Sequence, residues 1–389
     1  MTEHKNRVVV VGGGYAGVTA ANHLRLRPDV DITLVNSRAE FVERIRLHQL
    51  VTGSDDAVVD YAEILGPGIE LVIDAATRID SEARHVELFS GAPLPYDYLI
   101  YAVGSGSGGA TVAGADQFAY PIADLEEAKR LSSALDELPY GAPVCVVGAG
   151  PTGIEIAAEL AEQGRAVTLV CGPVLGPYLS TPGRRSVARR LRKLGVEIVD
   201  GPGSVVIAVA EDAVTLSDGR RLPSSVTIWT AGFGVPDLAL RSGLRTDAIG
   251  RLLTDETLTS IDDTRIVAAG DVAAPSGEPL RMSCQAAMPL GAQAANTVLS
   301  RIAGERPAVI NQAFTGQCLS LGRGAGMIQF AHKDDTAMPL YIAGWSAAKV
   351  KEAVCNSTIA ALRRAAHKPG SAFWFKGGTR PAAAAAPAS

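Results

Sequence analysis

The stretch VVVVGGGYAGVTAANHL, residues 8–24, runs four valines into three glycines and then into a helix-like sequence. Consecutive valines suit a parallel strand buried on both faces. The glycines at 12, 14 and 17 have the spacing G-x-G-x-x-G, and between a strand and a helix that spacing holds a dinucleotide pyrophosphate. Gly12 permits the tight turn, Gly14 the approach of backbone to phosphate, and Gly17 with Ala21 the packing of helix on sheet. The helix presents its positive end to the anion. Glycine-rich turns also arise for steric reasons alone, so the motif needs support from the rest of the chain.

That support comes from a repeat. Residues 143–159, PVCVVGAGPTGIEIAAE, place Gly148, Gly150 and Gly153 at the same spacing after another apolar strand, with Ala157 where Ala21 stood. Each motif is followed by a second strand, DITLVN (31–36) and AVTLVC (166–171), as a βαβ unit requires. Two further strands, in YDYLIYAVGSGSG (96–108) and SVTIWTAGFGVP (225–236), run from aromatic into small residues and lead into crossings between domains. A buried strand in TRIVAAGDVA (264–273) ends in Gly270 and Asp271. Asp271 can accept a hydrogen bond from a sugar-alcohol hydroxyl, or the pair can simply be a turn with a helix cap.

With 389 residues the chain is long enough for two or three domains, and 47% hydrophobic residues suit a compact α/β protein. The net charge of −5 gives no reason to expect nucleic acid as a partner. The basic run GRRSVARRLRKLG (183–195) has helical spacing and reads as a solvated face. The five cysteines are scattered without the spacing of a zinc site or a disulfide framework, and no metal is expected. The first apolar run breaks at glycines without a cleavage-type site, and no stretch reaches the ~20 apolar residues of a membrane span. A cytoplasmic location follows as the expectation.

In this order the motifs resemble the flavoproteins with two dinucleotide-binding domains, the pyridine nucleotide-disulfide oxidoreductase superfamily. The resemblance covers about residues 8–330. GAGPTGIEIAAEL and LSLGRGAG (319–326) are most similar to type II NADH:quinone dehydrogenases and apoptosis-inducing-factor-like oxidoreductases. It implies an FAD domain at 1–120 and 257–310, an NAD(P)H domain inserted at 121–256, a C-terminal domain at 311–375 and a disordered tail at 376–389.

By the same resemblance Gly12, Gly13, Gly14, Tyr15, Ala16 and Gly17 form the FAD turn, with Gly104, Gly270 and Asp271 further along the flavin. Gly148, Gly150, Pro151, Thr152, Gly153 and Gly232 serve NAD(P)H. Gln285 and Ala286, in SCQAAMPLGAQAA (283–295), fall where a helix N-terminus faces the pyrimidine edge of the flavin. In FVERIRLHQLVTG (41–53), Arg44 can pair with the FAD pyrophosphate, and His48 can donate to flavin or substrate or be a structural histidine. Glu155 falls where the family's glutamate lies beside the nicotinamide and flavin rings, whereas Glu159 reads as a surface group.

The chain departs from the family at both ribose positions, where Asn36 and Cys171 replace the usual acid. Cys171 removes the main reason to prefer NADH, and Arg184 and Arg185 can then either reach a 2′-phosphate or cap and solvate their own helix. The family's closely spaced redox cysteines are also missing. Electrons are therefore expected to leave the flavin directly, to a quinone, another small acceptor or oxygen, unless Cys284 and Cys318 meet in space. Two other functions remain open: an FAD-dependent dehydrogenase or oxidase of an organic metabolite that does not use NAD(P)H, and a non-catalytic flavin and NAD(P)H redox sensor. Oligomeric state is not legible, and a peripheral membrane contact through SAFWF (371–375) stays open.

Overall fold

The computed structural model describes residues 5–109, 111–378 and 380. Its first sheet is parallel and runs, edge to edge, Ile266–Ala268, Tyr98–Tyr101, Asn6–Val11, Val30–Asn36 and Ile69–Ile73. A second parallel sheet repeats the arrangement with Ala119–Pro121, Val226–Trp229, Pro143–Val147, Ala166–Gly172 and Glu197–Asp200. The strand before each glycine motif is central in its sheet. Val8, Val9, Val10 and Val11 are at most 2% exposed, covered on both faces, which is why the run does not alternate with polar residues.

The helix Tyr15–Leu24 is buried at all ten positions, between its sheet and the long helix Cys284–Ile302. Contact is close enough that a Cβ on Gly291 would fall 2.2 Å from the Ala16 carbonyl oxygen. Each domain also carries a small antiparallel sheet, at Ala76–Asp80, His85–Leu88 and Pro93–Pro95, and at Val206–Val209, Ala213–Leu216 and Arg221–Pro223. The two crossings between domains touch: Gly106–Ser107 pairs antiparallel with Phe233–Gly234, and a Cβ on Gly108 would lie 2.7 Å from the Gly234 nitrogen.

The strand Ile266–Ala268 returns to the first sheet beside Tyr98–Tyr101. Ala119–Pro121 already belongs to the second sheet. Leu238, Ala239, Leu244 and Leu252 belong to the first core, and Ser242 Oγ accepts from the Ile79 nitrogen at 2.9 Å. These residues, expected in the inserted domain, thus pack with the first sheet. In the helix Thr181–Lys193, Val187 and Leu191 are buried while Arg185, Arg189 and Arg192 are exposed, so the basic run lies on a solvated face.

Residues Gly316–Ser320, Gly326–Ala331 and Ala337–Gly344 form an antiparallel sheet, followed by the helix Trp345–His367. This C-terminal segment holds both domains, through Ser180 Oγ to Gln329 Oε1 at 2.8 Å on one side and Arg46 to Glu352 at 2.8 Å on the other. Part of the tail expected from residue 376 lies among the described residues. The Gly377 nitrogen donates to Asn311 at 2.7 Å and Arg380 pairs with Glu256 at 2.7 Å, while residue 379 and residues 381–389 lie outside the described residues. Among the described residues no helix is long and apolar enough to cross a membrane.

Candidate functional site

Both glycine turns are built alike. Gly12 and Gly148 have φ of +104° and +113°, and a Cβ on either would collide with the crossing strand, at 2.3 Å from the Ala102 oxygen or 2.6 Å from Thr230 Oγ1. A Cβ on Gly17 would lie 1.8 Å from the Gly12 oxygen, and one on Gly153 1.9 Å from the Gly148 oxygen. By contrast, a Cβ on Gly14 or Gly150 meets no atom within 4 Å. Glycine at these two places satisfies nothing inside the protein. The open space above each turn, at a helix N-terminus, fits a pyrophosphate.

The other residues expected at the flavin are brought together in part. Ser105 Oγ donates to Asp271 Oδ2 at 2.6 Å, and Arg44 donates to Ser105 Oγ at 3.0 Å, beside Gly104. Asp271 Oδ1 is buried and has no hydrogen-bond partner among the described residues. A carboxylate oxygen left in that state is destabilising unless a ligand donates to it, and a polyol hydroxyl is a matching donor. Asp271→Ala is therefore expected to weaken flavin rebinding to the apoprotein by about 1 to 3 kcal/mol. Unchanged affinity would reduce Asp271 to a turn residue.

Asn36, Tyr15 and Ala16 make contacts inside the protein. Asn36 accepts from the Gly13 nitrogen at 3.0 Å and donates to the Arg38 oxygen at 2.9 Å, so its carboxamide fastens the turn itself. Tyr15 packs edge-on against Phe41, and Ala16 faces the long helix, so both shape the core under the turn. The Ala286 nitrogen is capped by Ser283 Oγ at 3.3 Å, and Gln285 Nε2 donates to Thr315 Oγ1 at 2.6 Å while its Oε1 stays buried without a partner.

At the second motif Thr152, Trp229, Thr230, Gly232 and Phe233 line a crevice that also touches Ser107 and Ala123, between the two domains. Pro151 opens the helix Pro151–Glu162 behind the turn. Cys171 packs among Ile154, Leu175 and Leu179, and burial pushes its thiol up to about 12. Asp200 stands exposed at the end of the adjacent strand, opposite Gly172. Arg184 donates to the Leu179 oxygen at 3.3 Å, just before its own helix Thr181–Lys193.

The densest chemistry lies where the second motif meets the C-terminal segment. His48, 3% exposed in its side chain, sits with Nδ1 3.8 Å from Glu155 Oε2 and Nε2 3.5 Å from Glu159 Oε1. Glu155 pairs with Lys351 Nζ at 3.1 Å and accepts from the Ser320 nitrogen at 2.9 Å. Glu159 accepts from Thr52 Oγ1 at 2.8 Å and pairs with Arg323 at 3.4 Å. Burial alone would raise the Glu155 carboxyl, yet Lys351 and His48 outweigh it and hold it below the ordinary value. Burial lowers His48 in spite of its two carboxylate neighbours. Lys351, which burial would lower, is held above its usual value by Glu155.

The expectation that Glu159 lies at the surface is corrected: its side chain is 2% exposed. The signal was present, because Glu155 and Glu159 are four apart and so share one helix face. Lys351 carries no local motif, Ser320 and Arg323 fall within LSLGRGAG (319–326), and only the folded C-terminal segment brings all three here. All five cysteines are free thiols. Cys284, Cys318 and Cys355 all have their thiols raised by burial, against the pull of Lys351. Asp80, His85 and Glu87 form a group close enough for a metal ion, but Arg78 stands 3.5 Å from Glu87 and opposes a cation there.

Comparison with known proteins agrees with this geometry. The family described as pyridine nucleotide-disulphide oxidoreductase matches residues 6–291. An NADH dehydrogenase-like protein of Mycobacterium tuberculosis is 32% identical over 324 residues, covering 76% of this chain and 80% of the relative. A type II NADH:quinone oxidoreductase of Staphylococcus haemolyticus is 28% identical, covering 84% of this chain and 90% of that one. Among solved structures, the sulfide:quinone oxidoreductase of Aquifex aeolicus has the same fold, with a TM-score of 0.81 at 21% identity over 94% of this chain and 93% of its own. With the paired glycine turns and the family match over most of its length, the chain belongs to the pyridine nucleotide-disulphide oxidoreductase family.

Proposed function

We propose that this chain takes hydride from NADH onto FAD and passes the electrons directly to a quinone. It is an NAD(P)H dehydrogenase-like oxidoreductase with FAD and NAD(P)H as cofactors. The observation that carries the reading is the pair of matched glycine turns, each open only above its second glycine, with a buried charged cluster at the seam between their domains. FAD supplies the hydride acceptor and two-electron store when bound.

The chain's own residues position and balance charge. The turn from Gly12 to Gly17 would hold the flavin pyrophosphate, with Arg44, Ser105 and Asp271 toward the sugar-phosphate and Gln285 toward the ring. Gly148 to Gly153, with Thr152 and Gly232, would hold the nicotinamide nucleotide. Glu155 orients the nicotinamide amide while Lys351 keeps its carboxylate charged at neutral pH. The enzyme works in the cytoplasm, and the exposed Phe373 and Phe375 offer a peripheral contact with a bilayer holding the quinone.

Anaerobic stopped-flow mixing of the yellow protein with NADH or NADPH tests the reading. Rapid bleaching by NADH, followed by reoxidation with a water-soluble quinone faster than with oxygen, is the expected result. A flavin that neither nucleotide bleaches would overturn it.

A further inference from the structure

Quinone reduction to quinol needs two electrons and two protons, whereas NADH delivers a hydride, which carries two electrons and one proton. One proton must come from solvent for each turnover, so that NADH, H⁺ and quinone become NAD⁺ and quinol. From the geometry around its ring, we propose that His48 takes up this second proton on its imidazole, loaded from the Glu159 side and released toward Glu155. The inference rests on the function proposed above and adds the route by which its proton arrives.

Four observations carry it. His48 Nε2 is buried with no hydrogen-bond partner among the described residues, 3.5 Å from Glu159, and Nδ1 lies 3.8 Å from Glu155. These separations exceed those of good hydrogen bonds, yet each places a carboxylate where an imidazolium N–H needs one. The ring is thus poised between two states: burial favours the neutral one, and two facing carboxylates favour the charged one.

The second observation is charge balance. Glu155 faces Lys351 from the C-terminal helix, and Glu159 faces Arg323 from the loop after Gly316–Ser320. Two anions and two cations cancel around a neutral His48, so negative charge arriving nearby draws a proton to the one neutral base among them.

The third observation is the direction of access. Arg323 is 46% exposed and pairs with Glu352, itself 36% exposed, so the Glu159 side opens to water. The Glu155 side is closed by Lys351, 13% exposed, and by the Ser320 backbone. Protons therefore enter past Arg323 and leave toward the second glycine motif, where Glu155 lies two residues after Gly153.

The fourth observation concerns position in the fold. Arg44, four residues before His48, bonds to Ser105 and so to the Asp271 end of the flavin site. Lys351 also lies near enough to the Cys284 thiol, at the start of the long helix, to lower its proton affinity. The histidine is anchored between the two cofactor sites rather than in a remote core.

The test follows the ring itself. Holoenzyme carrying ¹⁵N-histidine is titrated by NMR, oxidised and then reduced with dithionite, and the His48 signal is assigned from His48→Gln. The imidazole should titrate at least one pH unit higher in the reduced protein; the same titration in both states overturns the inference.

Potentiometry supplies an independent readout. The flavin midpoint potential of the wild type should fall more steeply with pH than that of His48→Gln, by up to about 30 mV per pH unit for one extra proton in a two-electron couple. Equal slopes with flavin retained also overturn it. Glu159→Gln should slow proton uptake from a weakly buffered dye solution at least ten-fold, and an unchanged rate removes Glu159 from the route. Because dithionite replaces the nucleotide, these outcomes are distinct from a failure of NADH to bleach the flavin.

Discussion

Gly14→Val protein should purify folded and colourless. Gly14 is extended, with φ of −78° and ψ of −168°, so valine meets no backbone strain, and its Cβ enters space with no protein atom within 4 Å. The fold therefore tolerates the branched side chain, while the pyrophosphate does not. Nanomolar flavin binding corresponds to about 12 kcal/mol, and a side chain in van der Waals overlap with the phosphates removes most of it. Losing the ligand also lowers apparent stability, by about 4 kcal/mol where free flavin stands a thousand-fold above its dissociation constant.

Gly17→Val should behave oppositely, failing to fold because its Cβ would lie 1.8 Å from the Gly12 oxygen. Flavin absorbance per mole of protein and a thermal melt with and without added FAD separate the two variants. A yellow Gly14→Val protein with full flavin content would place the cofactor elsewhere.

This asymmetry between neighbouring glycines also shows what the sequence can disclose. Spacing alone identified both turns, since Gly12 and Gly148 need positive φ and close approach, and those demands are local. The strand after each turn was legible from the same motif, because a βαβ unit requires a second parallel strand.

Long-range contacts were not legible in that way. Leu238, Ala239, Leu244 and Leu252 are scattered among charged and polar residues, and nothing nearby announces that they return to the first core. Asn36 occupies the expected ribose position, but its two bonds to Gly13 and Arg38 depend on how the loop after its strand folds back. Glu159 looked solvent-facing because Ser320, which accompanies it in the cluster, is separated from it by 161 positions. Burial of a charged residue is set by its partners, and the partners here lie far away along the chain.

Lys351→Met should be the most destabilising single change in the cluster. It leaves the buried Glu155 without its nearest cation, a loss of about 3 to 5 kcal/mol for a pair broken on one side. Adding Glu155→Gln should restore part of that loss, because an uncharged carboxamide no longer needs a countercharge.

The pH dependence should change sign as well. In the wild type the Glu155 carboxyl is held low, so its contribution to stability is present above the unfolded carboxyl value of about 4.3 and fades as pH falls through the folded value. Without Lys351, burial dominates and raises the folded value. The contribution is then present only below the unfolded value and is lost as pH rises through the raised one. The deficit of Lys351→Met against wild type should accordingly be largest at pH 7 to 8 and shrink towards pH 5. Urea unfolding midpoints of the wild type, Lys351→Met and the double variant across that range provide the measurement. A deficit independent of pH, or a double variant no more stable than Lys351→Met, would mean that Glu155 and Lys351 do not balance one another.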